Sequence, residues 1–367
     1  MIYLDYAATH PVYMSMAREI AQVINKYFYN PSSLYKPSIE TKNFYEKQRS
    51  ILADVIGVYK ENLIFLSSAT EASNTIIKGL NYKGRNKVIL WEGEHPAVYE
   101  PLINMSDIKR ETIKTKKGYV EFSDIEQFID GNVKLICLMH VNNETGALND
   151  ITNISKKIKE IDKDILIFSD TTQSFAKRPI DLTNIDFACF SSHKIGGLRG
   201  IAAMYIKNKN LIKPLLEGGG QEMGLRSGTE NVYAAYTMAK AAKLTYNIFN
   251  DKNNHLQSLN NFLRDNCRLR NFNINSPDCS VYNIFNFSTM NLPSEVLINA
   301  LSDMEIYVSS GSACSSKTKG SRTLRSMDFN SDIIDTSIRV SLHPTTTIRD
   351  LEVLFESIDK VVNTFII

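Results

Sequence analysis

Phe187-Ala-Cys-Phe-Ser-Ser-His-Lys-Ile-Gly-Gly197 decides the reading of this chain. An apolar run turns polar over its last residues, reaches Lys194 and is followed by paired glycines, which places the lysine amine at a strand terminus with backbone space around it. Taken alone, Ser-His-Lys describes an exposed loop lysine better than a reactive one. Upstream, however, Asn62-Leu-Ile-Phe-Leu-Ser-Ser-Ala-Thr-Glu71, Lys87-Val-Ile-Leu-Trp-Glu-Gly-Glu-His95, Lys134-Leu-Ile-Cys-Leu-Met-His-Val-Asn-Asn-Glu144 and Asp164-Ile-Leu-Ile-Phe-Ser-Asp170 repeat the layout. Near-continuous apolar strands alternating with helices predict an α/β fold with a parallel sheet covered on both faces. Ligands of such sheets bind beyond the carboxyl ends of the strands. Thr70, His95, Asn143, Asp170, Ser191, His193 and Lys194 are therefore expected to converge on one crevice.

At 367 residues the chain exceeds the ~250–300 at which one core stops growing, so two subdomains are expected. Its 42 basic and 40 acidic residues are interspersed, and a net charge of +2 predicts no polyanion partner. Lys83-Gly-Arg-Asn-Lys87 is a solvated turn, and no nucleic-acid-binding module is visible. The opening Met1-Ile-Tyr-Leu-Asp5 reads as a strand. No apolar run approaches the ~18 residues that cross a bilayer, so a cytoplasmic protein without membrane contact is expected. Cysteines 137, 189, 267, 279 and 314 form no Cys-x-x-Cys pair, and three lie in apolar segments; neither a disulfide framework nor a metal site is expected.

Helical periodicity runs over Ser38–Ile56, closed by Gly57, and over Thr70–Lys78, closed by Gly79. Further helices are expected near Met16–Tyr27, Ile151–Ile161, Glu230–Asn247, Ser294–Asp303 and Ile348–Phe365. The Asn- and Lys-rich stretch 247–254 marks a change in character, after which Ser280–Phe287 alternates with period two. Residues 16–249 are accordingly assigned to a large α/β domain, and 1–15 with 250–367 to a smaller one.

A lysine at a strand end is suited to a Schiff base, whose chemistry requires an electron sink; pyridoxal 5'-phosphate is one. Ser67-Ser-Ala-Thr-Glu-Ala-Ser73 follows a strand and opens a helix, so its N–H groups and Thr70 can cradle a phosphate, although an ordinary N-cap has the same form. Asp170 ends an apolar strand, where a carboxylate suits a pyridinium N–H or, equally, caps the Thr171–Ser174 turn. Gln173 and Asn143 offer donors to a phenolic oxygen. His95, before Pro96, can lie on a ring face and exchange protons, or serve structure alone. Ser309-Ser-Gly-Ser-Ala-Cys-Ser-Ser-Lys-Thr-Lys-Gly320 is too rich in Ser and Gly for a core element, so Cys314 is expected to be an accessible thiol beside Lys317. Arg339 in Ser337-Ile-Arg-Val-Ser-Leu342 needs an anion, supplied by a substrate carboxylate or by a structural salt bridge.

These segments, with Tyr3-Leu-Asp, Asn30-Pro-Ser-Ser33, Glu94-His-Pro-Ala-Val98, His140-Val-Asn-Asn-Glu-Thr-Gly146, Gly218-Gly-Gly-Gln-Glu222 and Leu225-Arg-Ser-Gly-Thr-Glu-Asn231, make the chain resemble NifS/IscS-type cysteine desulfurases of the class V aminotransferase family. The resemblance implies a fold type I pyridoxal-phosphate enzyme: a large domain with a mainly parallel seven-stranded sheet, and a smaller α+β domain carrying the reactive cysteine. It implies that Lys194 carries the cofactor covalently, that Asp170 meets its ring nitrogen, that His95 stacks on the ring and that Asn143 and Gln173 hold the phenolic oxygen. Ala69, Thr70, Ser191 and His193 bind the phosphate side, with Thr229 supplied by the second subunit of a homodimer. Arg339, with Asn143, takes the carboxylate of L-cysteine. Cys314 attacks the substrate sulfur, leaving a persulfide on the enzyme, and alanine departs. The persulfide passes to an acceptor protein, a scaffold for iron–sulfur assembly or a thiolation enzyme.

The sequence departs from the usual pattern at Ser68 (for Gly), Tyr6 (Asn), Tyr35 (His), Met223 (Arg), Lys317 (Gly) and His343-Pro344 (Gly-Arg). A selenocysteine lyase, β-lyase or aminotransferase on the same scaffold is the alternative. A non-catalytic sulfur relay is the second, and the full set of cofactor-type residues argues against it.

Overall fold

The structure is a computed structural model that describes residues 1–290, 292–310 and 320–365. In chain order its strands are β1 (Ile2–Tyr3), β2 (Leu63–Leu66), β3 (Lys87–Trp91), β4 (Lys109–Ile113), β5 (Val133–Cys137), β6 (Leu166–Asp170), β7 (Phe187–Ser191), β8 (Ala202–Ile206), β9 (Asn273–Ile274), β10 (Ile284–Ser288), β11 (Ile306–Tyr307) and β12 (Ser337–Ser341). Seven of them form one sheet in the order β2-β8-β7-β6-β5-β3-β4. All neighbours are parallel except β8, which runs against both β7 and β2. Two reversals make β2 parallel to β7, so the carboxyl ends of β2, β3, β5, β6 and β7 share one edge with the amino end of β8. The crevice expected from sequence lies along that edge.

The strand pleat sorts side chains onto two faces. Leu63, Phe65, Ile89, Trp91, Ala188 and Phe190 join one core with helices Lys36–Ile56, Ile151–Ile161 and Val232–Asp251. Ile64, Leu66, Val88, Leu90, Phe187 and Cys189 join another with helices Ala69–Gly79 and Pro96–Ile103. Two covered faces explain the unbroken apolar runs. The edge strand β4 carries Lys109, Arg110 and Glu111 towards solvent, which blunts further strand pairing.

A third core gathers Leu4, Phe285, Phe287, Ile338 and Val340 with helices Asn253–Leu269, Ser294–Asp303 and Ile348–Phe365. The N-terminal arm belongs to it: β1 pairs in parallel with β11, and Asp5 bridges Ser341. Beyond Asp5 the arm turns back to the large sheet, where the His10 N–H donates to the His193 carbonyl at 2.8 Å.

Most expected helices lie within two to four residues of the observed ones, and Gly57 closes the second in the left-handed region at φ 83°. Three features differ from the sequence reading. Residues 247–254 are helical apart from Lys252. The helix that follows, Asn253–Leu269, is polar on average but buries Leu256, Leu259, Leu263 and Cys267 along one stripe. The period-two segment does not put its polar face in solvent: all of β10 is buried, because Asn275 Nδ2 donates to Asn286 Oδ1 (2.7 Å) and Ser288 Oγ (2.8 Å). No described helix is long and apolar enough to cross a membrane.

Candidate active site

A cavity of about 640 Å³ opens along the shared strand edge, of the size that takes a small cofactor with its substrate. Ten of the twelve residues singled out from sequence line it: Ala69, Thr70, His95, Asn143, Asp170, Gln173, Ser191, His193, Lys194 and Arg339. Thr229 is exposed on the loop after Gly228, away from this chain's cavity. Cys314 lies outside the described residues, as does Lys317.

β7 ends at Ser191, and a single 3-10 turn, Ser192–Lys194, lifts the lysine over the edge. The glycines that follow are required there. A Cβ on Gly197 would come within 2.2 Å of Ser192 Oγ, and Gly196 combines φ 83° with contacts to Tyr13 and His10. Lys194 Nζ donates to the carbonyls of Ala7 (2.8 Å) and Ala8 (2.7 Å), so the returning arm holds the amine. His193 Nδ1 meets Thr9 Oγ1 at 3.2 Å; burial, with Lys194, Arg199 and Lys177 nearby, pushes its pKa down to about 4.

After β2, Ser68 caps helix Ala69–Gly79 by accepting from the Glu71 N–H at 3.0 Å. Its backbone is extended (φ −160°), so this turn has no need of the family's glycine. Ser68 takes the Glu71 and Ala72 N–H groups of the first turn, which leaves those of Ala69 and Thr70, both residues of the cavity wall, as the helix's open donors. Arg226 donates to Glu71 Oε1 (3.0 Å) and ties the Thr229 loop to the same turn.

His95 is the N-cap of helix Pro96–Ile103: its Nδ1 accepts from the Ala97 N–H at 3.1 Å. The neutral ring therefore carries its proton on Nε2. Burial lowers its pKa; Asp170 opposes this, and Lys194 and Arg322 add to it. The structural reading of this histidine holds, and the residue stands in the cavity wall.

Asp170 is likewise a cap that stands in the cavity wall. Its Oδ1 accepts from the Thr172 N–H (2.9 Å) and Cys189 Sγ (3.3 Å), capping the turn, while a buried carboxylate has acceptor capacity beyond two bonds. Gln173 donates from Nε2 to the Ala7 carbonyl at 2.9 Å and leaves Oε1 buried without a partner. As placed, the atom it offers is an acceptor, and its amide becomes the expected donor only by giving up the bond to the Ala7 carbonyl.

Arg339 differs most from its sequence reading. Its Nη2 donates to Asp5 Oδ1 at 2.7 Å and its Nη1 to the Asn143 carbonyl at 2.8 Å, while Nε is buried without a partner. The anion it needs is thus already provided inside the chain. Sequence reasoning missed Asp5, the Ala7 and Ala8 carbonyls, Arg199, Glu144 and Arg322, all in the cavity wall. Asp5 and Glu144 lie in the matched segments Tyr3-Leu-Asp and His140–Gly146 but had no role read from them, and Arg322 carried no local pattern by which to find it.

A lysine raised on the turn after a buried strand, with a strand-end carboxylate and a helix N-terminus around one cavity on a mainly parallel sheet, defines the fold type I class of aminotransferase-like enzymes. The family described as Aminotransferase class-V matches residues 2–354. Cysteine desulfurase IscS of Buchnera aphidicola subsp. Schizaphis graminum is 35% identical, over 98% of this chain and 92% of its own length. A solved NifS-like protein superposes with a TM-score of 0.93 at 29% identity, covering 99% of this chain and 100% of that one. The structure of SspA in complex with cysteine has a TM-score of 0.82 at 26% identity, covering 95% and 100%. The chain belongs to the class V aminotransferase family and, within it, to the cysteine desulfurases of IscS/NifS type.

Proposed function

We propose that the chain removes sulfur from L-cysteine with pyridoxal 5'-phosphate held at Lys194, and that Cys314 receives the sulfur. The observation that carries this reading is the convergence of Lys194, Asp170 and the N-terminus of helix Ala69–Gly79 on one cavity. The residues fit the cofactor. The wall holds two buried polar atoms without partners, Gln173 Oε1 and Arg339 Nε, and a buried strand-end carboxylate. When bound, the cofactor supplies an electron sink for charge at the substrate's α-carbon.

The chain's own groups do the rest. Lys194 would hold the cofactor covalently, and its amine, when free, would move the substrate's α-proton. The N–H groups of Ala69 and Thr70, with the Thr70 hydroxyl, Ser191 and His193, would take the phosphate; Thr229 of a second copy would complete that set. Asp170 meets the ring nitrogen, His95 the ring face, and Asn143 and Gln173 the phenolic oxygen. Arg339 receives the substrate carboxylate. The Cys314 thiolate forms an S–S bond as the substrate's C–S bond breaks, and alanine leaves after protonation. The persulfide then passes to an acceptor protein, and the enzyme works as a cytoplasmic homodimer.

Incubation with cysteine, following alanine and sulfide together, tests the reading. Cys314→Ser is expected to keep the visible absorbance of the bound cofactor and to release neither alanine nor transferable sulfur. The wild type without reductant is expected to gain one sulfur mass on the Cys314 peptide. A β-lyase, which needs no protein thiol, would leave Cys314→Ser fully active.

A further inference from the structure

Arg322 lies in the cavity wall and has no part in the reading above. Its Nε donates to the Glu92 carbonyl at 2.9 Å and its Nη2 to the Glu94 carbonyl at 2.5 Å. The carbonyl between them, Gly93 O, accepts from Asn142 Nδ2 at 3.0 Å. Three consecutive carbonyls of the turn between β3 and His95 are thus held from outside, two of them by one guanidinium. The turn also has no room for a side chain at its middle, because a Cβ on Gly93 would fall within 2.5 Å of the buried Trp91 ring. The guanidinium is fixed in turn: its Cζ lies 3.7 Å from the Tyr99 ring centroid, and Nη1 stands 3.8 Å from Glu100 Oε1. Both residues belong to the helix that His95 caps.

The residues beside Arg322 grip the second site turn. Ser321 Oγ and Thr323 Oγ1 donate to the two carboxylate oxygens of Glu144, next to Asn143. A five-residue helix, Arg322–Ser326, therefore fastens the C-terminal part of the chain to the turns that carry His95 and Asn143.

We propose that Arg322 is a positioning residue for His95, fixing the 92–94 turn and keeping the ring neutral and in place as N-cap. The inference rests on the desulfurase reading, in which His95 meets the cofactor ring. Protonation of the ring would put a proton on Nδ1 and break its bond from the Ala97 N–H. The charged groups around the ring are Asp170 at the end of β6, Lys194 after β7, Arg322 and the adjacent Glu94, which burial keeps protonated to about pH 8. Asp170 favours the protonated ring, whereas Lys194 and Arg322 oppose it. Removing Arg322 therefore takes away one of the two cations that oppose Asp170, and the one that remains a free cation when Lys194 is bound to the cofactor.

The test uses purified, cofactor-loaded Arg322→Ala and Arg322→Lys. In Arg322→Ala, kcat is expected to fall about 10- to 100-fold, the size of loss that a displaced site group produces, with KM changed much less. The acid limb of the kcat–pH profile moves to higher pH. Arg322→Lys keeps the charge but not the two-carbonyl grip, so it restores the acid limb and recovers only part of kcat. Titration of the His95 ring by NMR, assigned with His95→Gln, reads the same shift without turnover. The proposal is overturned if Arg322→Ala keeps the wild-type kcat and His95 titration, if both variants lose kcat only in step with bound cofactor, or if neither variant folds. Wild-type protein that releases no alanine from cysteine would instead defeat the desulfurase reading, and the NMR titration would still decide the role of Arg322.

Discussion

Arg339 shows how one residue can satisfy two readings. A guanidinium has five N–H donors, and two of them go to Asp5 and the Asn143 carbonyl, so on the proposed function a substrate carboxylate would approach a cation that is already paired. Asp5 competes with that carboxylate, while Asn143 and the strand keep the arginine in place. Arg339→Ala is therefore expected to raise KM for cysteine about tenfold or more, and Asp5→Asn to lower it, with kcat changed less in both. Steady-state kinetics checks the opposite signs; an unaltered KM in Arg339→Ala with a lower Tm would make the pair purely structural. Asp170, Ser191 and Lys194 were legible in the sequence because each is a polar residue ending an apolar run. Asp5 was legible only as part of Tyr3-Leu-Asp and not as the partner of Arg339, 334 residues away, and the carbonyls that hold Lys194 have no side-chain signature at all.

At the scale of elements, the apolar strands and amphipathic helices were legible, and the elements whose burial is one-sided or supplied late were not. β4 is charged and lies at the sheet edge, and helix Asn253–Leu269 shows only a narrow apolar stripe among asparagines. The Gly218–Glu222 loop was recognised as a motif, but its physical reason appears only in three dimensions. Glu222, at φ 47°, buries its carboxylate against Arg49 (Nη1 and Nη2, both 2.7 Å), Tyr45 OH (2.7 Å) and the Phe65 N–H (2.6 Å). It anchors the loop that leads to Thr229 onto β2, the strand that leads to the phosphate turn. The neighbouring Met223 is 41% exposed, so its departure from the family pattern leaves this anchor intact. Glu222→Ala would strand Arg49 as a buried, unpaired charge and is expected to cost about 3–5 kcal/mol. Urea denaturation at pH 7 measures it; a loss well under 1 kcal/mol would show that Glu46, Arg49's other acidic partner, suffices.

Over the whole molecule, the N-terminal arm joins the third core to the active-site edge, and the joint is built of neutral histidines. His10 and His343 meet with ring centroids 4.8 Å apart, Tyr6 stacks on His343 at 4.9 Å, and both Nε2 atoms are buried without partners. Burial pushes the pKa of His10, His140 and His193 down to about 4 and that of His343 to about 3, against 6.5 in the unfolded chain. The unfolded state then binds more protons than the folded one between those values. Each group's contribution is complete above pH 6.5 and is lost as pH falls towards 4, at up to about 1.4 kcal/mol per pH unit. Glu94, raised to about 8 by burial, acts oppositely: it favours the folded state at low pH and loses that contribution from 4.5 to 8, cancelling about one histidine. Lys177, lowered by burial to about 7, is charged in both states below that pH and adds nothing in the acid window. Burial also lowers His95 and raises Glu144, one more group on each side, so with roughly three histidines unopposed the urea midpoint is expected to fall steeply from pH 6.5 to pH 5. His343→Gln, which keeps a polar group there but cannot titrate, is expected to flatten the slope; a profile already flat in the wild type would show that these rings are not held neutral by the fold.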